Sequence, residues 1–364
     1  MHILLTYVFS IRVYSQINVT ILPEFQKLLK ESNLKKYHPK SGIELKGLVS
    51  RKDIHLSQIV LDDLEHKDLG NLFNGVNRKD FSGLETWDVS EITDMRGMFA
   101  GCVNFNQPLG NWDVSKVANM ASMFAGCINF NQPLNSWNVS NVTNMFSMFA
   151  GCVNFNQPLG NWDVSSVTNM ESMFENCTIF DQHLNEWKTS KVQNMWSMFK
   201  DCTNFNQSLE KWDVSNVVNM QEMFYNCVVF DQPLDEWNVS NVTNMDSMFK
   251  NCTLFNQSLN GWDTSRVEKM WSMFENCVNF NQPLNNWSVS NVVIMGHMFS
   301  GCKNFDQPLD SWDVSSVIKM GYMFSGCANF NQPLDKWNVS KVDNMDSIFT
   351  GCESLAEFPV WYRE

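Results

Sequence analysis

No segment of this 364-residue chain runs through the ~18 consecutive apolar residues that a membrane-crossing helix needs. Positive charge is scarce as well: 26 Lys and Arg stand against 39 Asp and Glu, a formal net charge of −13. That balance argues against nucleic acid or an anionic membrane as partner, because both are bound through clustered cations. Histidine is limited to six residues, and within the repeated region only His183 and His297 occur, far apart and outside any nucleophile motif. The eleven cysteines contain no C-x-x-C pair, which removes the usual zinc reading. Glycine-rich calcium-binding nonapeptides are missing too, so the aspartates do not read as a metal groove. These absences lead to the expectation of a non-enzymatic protein with no catalytic residues, no cofactor and no metal.

What is present is repetition. The cysteines stand 25 residues apart from Cys102, Cys127 and Cys152 through Cys352, and tryptophans recur at the same interval from Trp87 to Trp337. An odd and strictly periodic set of cysteines suits one buried thiol per structural unit better than a disulfide framework. The full pattern reads F-[ND]-Q-[PSH]-L-x-x-W-x-[VT]-S-x-V-x-x-M-x-x-[MI]-F-x-[GND]-C-x-x. Units of this size cannot bury an apolar face alone and must stack, so one leucine-rich-repeat-like solenoid replaces the two globular domains that length would otherwise allow.

Within one coil, Leu134–Met145 places Trp137, Val139, Val142 and Met145 two or three residues apart. That spacing predicts two short strands broken at the recurring serine. Met145–Cys152 spaces Met145, Met148, Phe149 and Cys152 as i, i+3, i+4 and i+7, which predicts a helix or 3-10 turn of about two turns. Asn or Asp precedes this segment in eight repeats, Asn144 among them, as an N-cap would, and Lys269, Ile294 and Lys319 break the rule. Late coils are therefore expected to fray. Before each cysteine stands only Gly, Asn or Asp, the residues that tolerate left-handed backbone at a helix end. Stacking also explains charge placement: after the repeat phenylalanine no two aspartates are neighbours, and after the tryptophan Asp alternates with Asn, Lys or Ser from Asp113 through Asn338. Equivalent residues lie ~4.8 Å apart in stacked strands, where like charges repel.

The chain divides accordingly. Residues 1–15 hold a short apolar run from Ile3 to Ile11 followed by Val13-Tyr14-Ser15, and read as either a signal peptide or a disordered extension. Residues 16–80 lack the full pattern and read as an N-terminal cap. Within them, Leu69 to Val76 matches half a repeat, with leucines at the methionine places and Val76 at the cysteine place. Residues 81–352 are the eleven-repeat solenoid, and 353–364 a C-terminal cap.

The W-[DN]-V-S-x-V-x-x-M-x-x-M-F-x-x-C block, across residues 81–352, resembles the ~25-residue repeat of bacterial surface proteins found in mycoplasmas, listeria and spirochaetes. That repeat is allied to the BspA-like leucine-rich-repeat surface protein family. Residues 37–73, with Tyr37-His38-Pro39-Lys40 and Glu44-Leu45-Lys46, are similar to the segment that often precedes such arrays. The resemblance implies a surface or secreted protein used for adhesion or host contact, with no catalytic residues. It departs from the lipoprotein type in lacking the anchoring cysteine.

Candidate partner-binding residues are those that the core does not require. The second and sixth residues of the predicted helical segment face away from the apolar stripe, and there Phe146, Trp196, Tyr225 and Trp271 replace smaller or charged residues. Exposed aromatics are enriched at binding hot spots. The alternative is that each ring lies flat on its neighbouring coil and only packs. The expected partner is a protein or glycan, with no nucleic acid and no transmembrane segment, and the expected state is a monomer. A surface or secreted scaffold is one reading; an intracellular, cytoplasmic repeat protein holding a protein partner is the other.

Overall fold

The computed structural model describes residues 35–76 and 78–362. The chain divides into two units, Met1–Tyr37 and His38–Glu364, and the second holds the repeat array. The signal-peptide or extension reading of residues 1–15 falls outside the described residues.

The array is a solenoid of stacked coils, numbered one to eleven by their cysteines from Cys102 to Cys352. Its local structure differs from the predicted strands and helix. Each coil is a succession of tight turns, and the residue before the first methionine forms a single parallel bridge to its equivalents, as Asn119, Asn144 and Asn169 do. In the coil containing Cys152, amides close turns onto the carbonyl three residues back: Trp137 onto Leu134 (3.0 Å), Val142 onto Val139 (2.9 Å), Met148 onto Met145 (3.1 Å), Cys152 onto Phe149 (2.9 Å) and Phe155 onto Cys152 (2.9 Å). Every one of these residues is buried. The three-residue spacing that resembled a helical stripe is therefore the spacing of consecutive i to i+3 turns between inward side chains.

A helix fails to form at Met145–Cys152 because alternate amides are used between coils. Met145, Ser147, Phe149 and Gly151 donate to Asn169, Glu171, Met173 and Glu175 in the next coil, at 2.7–3.0 Å. Only the amides between them remain for local turns. This two-residue alternation demands left-handed backbone at two places. One is the residue before the cysteine, with φ near 72° at Gly151 and 60° at Asn226. The restriction of that place to Gly, Asn and Asp is thus explained, although no helix ends there. The other is the residue two after the first methionine, Ser147 at φ 51° for example.

The expected N-cap is instead the first residue of a side-chain-closed turn: Asn144 Oδ1 accepts the Phe146 amide at 3.0 Å. Where Lys269 cannot do this, Asp246 of the preceding coil accepts the Trp271 amide at 2.7 Å. The anticipated fraying of late helices has no counterpart, since those helices do not exist.

Side chains continue the coil-to-coil bonding in the opposite direction. Trp137 Nε1 donates to Leu109 O (3.0 Å) and Cys152 Sγ to Phe124 O (3.0 Å). Aromatic rings stack into columns through the interior, with Phe124–Phe149 centroids 5.6 Å apart, Phe130–Phe155 5.8 Å and Trp137–Trp162 6.4 Å. Thr189 and Thr264 take a buried valine place, and each hydroxyl is satisfied by a carbonyl of the next coil at 2.9 Å.

Before the first full coil lies helix α1 (Gly42–Ser50), which buries Leu45 and Val49. Its N-cap Ser41 accepts the Glu44 amide, and Glu44 reaches back to the Lys40 amide. Arg78 donates to the carbonyl of Val49 in the last turn of the helix and to those of Arg51 and Ile54 beyond it. Leu69, Asn71 and Phe73 donate to Asp94, Arg96 and Met98, so this segment is bonded to coil one as later coils are to each other. At the other end Trp361 stacks on Trp337 at 6.2 Å and donates to Leu334 O at 2.8 Å.

A candidate partner-binding face

The residues between the inward side chains form three columns along the bridged side of the array, the second of them buried in places, as at Ser172, Ser197 and Ser272. The first holds the residue after the first methionine, the second its successor, and the third the residue after the Met-Phe pair. Most coils fill the second column with serine. In the third, Ala100, Ala125 and Ala150 open the array and Ser300, Ser325 and Thr350 close it, whereas coils four to eight carry Glu175, Lys200, Tyr225, Lys250 and Glu275.

The structure places the four candidate residues on these columns. Trp196 and Trp271, in the first column, each expose 37% of their surface. Phe146, in the same column, is half-buried. Tyr225, in the third column, is half-buried between two ammonium groups, with Lys200 Nζ 5.2 Å and Lys250 Nζ 5.9 Å from its ring centre. These lysines are themselves paired, Lys200 with Glu222 at 2.5 Å and Lys250 with Glu275 at 2.8 Å. The middle of the third column is therefore a charge-balanced strip held across coils.

Among the described residues the four rings make no ring contact with one another. Trp271 instead packs toward the next coil: a Cβ placed on Gly296 would collide with the indole. Its ring centre is 5.0 Å from His297, and His297 stacks on Tyr322 at 4.7 Å and 9°. Burial holds the His297 imidazole below its usual range, partly offset by the Glu275 carboxylate nearby. Sequence reasoning misses this cluster: it sets His297 aside as lying outside any nucleophile motif and does not single out Tyr322. The usable signal is the replacement of serine by large rings at two successive second-column places, beside Gly296 and Gly321 in the first column.

No group of three His, Cys, Asp or Glu among the described residues is placed to hold a metal ion, and no helix among them is long and apolar enough to cross a membrane. His55 touches Ser57 (2.7 Å) and Ser82 (3.0 Å), but as an N-cap of the 3-10 helix Leu56–Gln58, with its ring packed against Gly83.

Segments 67–185, 157–262 and 251–360 each match the family described as Mycoplasma protein of unknown function, DUF285. Solved structures similar to this chain include a leucine-rich repeat protein from Bacteroides ovatus ATCC 8483, 14% identical with a TM-score of 0.41, over 71% of this chain and 67% of that one. Another is a leucine rich cell surface protein from Faecalibacterium prausnitzii A2-165, 14% identical with a TM-score of 0.32, over 66% of this chain and 76% of that one. No curated protein matches the sequence. The matched segments run through the whole array, and the chain belongs to the DUF285 family.

Proposed function

We propose that this protein is a non-enzymatic interaction scaffold, at the cell surface or secreted, that contacts a host protein or glycan through its bridged side. The observation that carries this reading is the exposure of Trp196 and Trp271 over a core that repeats coil after coil without needing them. Phe146 and Tyr225 extend the same side and are part of the proposed contact. Large rings at places otherwise filled by small or charged residues supply contact area at low entropic cost. The surface or secreted placement follows from the resemblance of the repeat to bacterial surface-protein repeats.

The test is binding of the wild type and the Trp196→Ser/Trp271→Ser variant to whole host cells and to extracellular-matrix proteins, with thermal melts of both. Folding should change by no more than about 0.5 kcal/mol per site. Partner affinity should fall by roughly 2 kcal/mol or more. Unchanged binding at unchanged stability removes these rings from the contact, and a large loss of stability assigns them to packing instead.

A further inference from the structure

We infer that Trp271, His297 and Tyr322, on coils eight to ten, form a stacking platform for a neutral pyranose residue of a glycan. The inference rests on the proposed scaffold function and names the ligand class of one part of that face.

Folding does not call for these rings. At the second-column place seven of the eleven coils carry serine, from Ser122 to Ser347, whereas coils nine and ten carry His297 and Tyr322. Both sit at left-handed backbone, φ 58° and 60°, where bulky side chains are rarely found. Beside them the first column is cleared to glycine at 296 and 321, and the Trp271 indole occupies the space a Gly296 side chain would fill. The exchange also leaves the one buried side-chain polar atom without a hydrogen bond among the described residues, Ser272 Oγ. Three coils earlier the equivalent Ser197 Oγ donates to Glu222 Oε2, one coil on, at 3.2 Å. One coil on from Ser272 stands His297.

The rings remain accessible, with Trp271 37% and Tyr322 40% exposed. No ring follows Tyr322 in its column. The next residue is Ser347, so the far face of the phenol is uncovered by another aromatic, and the exposed Asp346 carboxylate stands in the adjoining column.

The chemistry on offer selects a sugar over a peptide or an ion. Main-chain groups are already used along the array, His297 N donating to Gly321 O (2.9 Å) and Tyr322 N to Asp346 O (2.8 Å), so an extended peptide finds no free edge. The nearest ion pair, Lys250 with Glu275, is balanced internally. What remains is an aromatic face with the Tyr322 hydroxyl and the Asp346 carboxylate, one oxygen of which accepts Asn344 Nδ2 at 2.9 Å, at its margin. The C–H face of a pyranose, electropositive beside its ring oxygens, matches the negative face of an aromatic ring, and its hydroxyls match carboxylate acceptors.

The experiment is calorimetric titration of the full chain with neutral trisaccharides of glucose, mannose, galactose and N-acetylglucosamine, beside one aromatic-rich and one Lys/Arg-rich peptide. The key variant is His297→Ser/Tyr322→Ser, which installs the residue that the other coils already carry and should melt no lower than wild type. At least one trisaccharide should bind, the double variant should weaken it roughly tenfold or more, and Tyr322→Trp should retain it. Flat titrations with every trisaccharide, or equal binding by the double variant, overturn the platform. Binding of a peptide in place of sugars, lost in the same variant, also overturns it and reassigns the rings to a protein partner. Cell binding that depends on Trp196 and Trp271 while all trisaccharides fail would sink this inference alone and leave the scaffold reading standing.

Discussion

A cysteine in this array has three constraints at once: its amide closes a turn, its side chain fills the interior, and its thiol donates to a carbonyl of the preceding coil, as Cys227 does to Phe199 O at 3.0 Å. Burial raises all of these thiols. Cys102 and Cys352, at the two ends, are pushed up to about 11, and the inner ones higher still. Because the thiolate is the reactive form, native thiols should label slowly at mildly alkaline pH and all eleven should titrate once denaturant is added. Cys352, which is only half-buried, should be the first to react. Rapid native labelling of most thiols, or their absence after unfolding without reductant, would contradict this. The polar residues show a similar economy. Asp113 Oδ1 accepts the Ser115 amide at 3.0 Å and Asn138 Oδ1 that of Ser140 at 3.2 Å, so either residue type closes the turn and the choice is left to charge. After the phenylalanine, Asn106 Oδ1 accepts both the Asn131 amide and Gln132 Nε2 of the next coil. Asp181 does the same for Asn206 and Gln207.

The coil is the element here, and its turns rather than strands or helices determine which substitutions it tolerates. Gly126 has φ 73°, and a Cβ there would meet only ordinary contacts, the nearest atoms of Gly101 being 3.6 Å away. Its constraint is therefore conformational. Gly126→Val should lower stability by about 1–2 kcal/mol from the left-handed penalty, with a further cost for the β-branch. Gly126→Asn should cost distinctly less, since Asn176 and Asn226 occupy the same place at φ 59° and 60°. Denaturant midpoints of the two variants make the comparison, and equal losses would mean that space rather than backbone geometry restricts the residue.

At the scale of the whole molecule, stability is carried from coil to coil. Trp212 stacks on Trp187 at 6.1 Å, donates to Leu184 O at 2.9 Å and is 3% exposed. Trp337 is as buried, at 4%, and stacks on Trp361. Trp212→Ala should cost roughly 3–5 kcal/mol by leaving a cavity and an unpaired carbonyl in mid-array. The same change at Trp337 should shift the global denaturant midpoint less, because end coils can open without the rest. Equal global shifts would argue against a nearest-neighbour solenoid.

The solenoid, its 25-residue period, its inward set and the restriction before each cysteine were determined by the sequence itself, because stacking repeats one environment many times and each place shows its requirement repeatedly. Trp87 to Trp337 and Cys102 to Cys352 admit no other reading. Tertiary structure decided how the backbone meets that pattern. A three-residue apolar spacing suits both a helix and a series of i to i+3 turns, and only the neighbouring coil, by accepting every second amide from Met145 to Gly151, removes the helix. The outward rings depended on tertiary structure for the same reason. Phe146, Trp196, Tyr225 and Trp271 can be picked out as departures from a repeat, but which rings touch depends on left-handed backbone at His297 and Tyr322 and on the space above Gly296, neither of which is written in residue spacing.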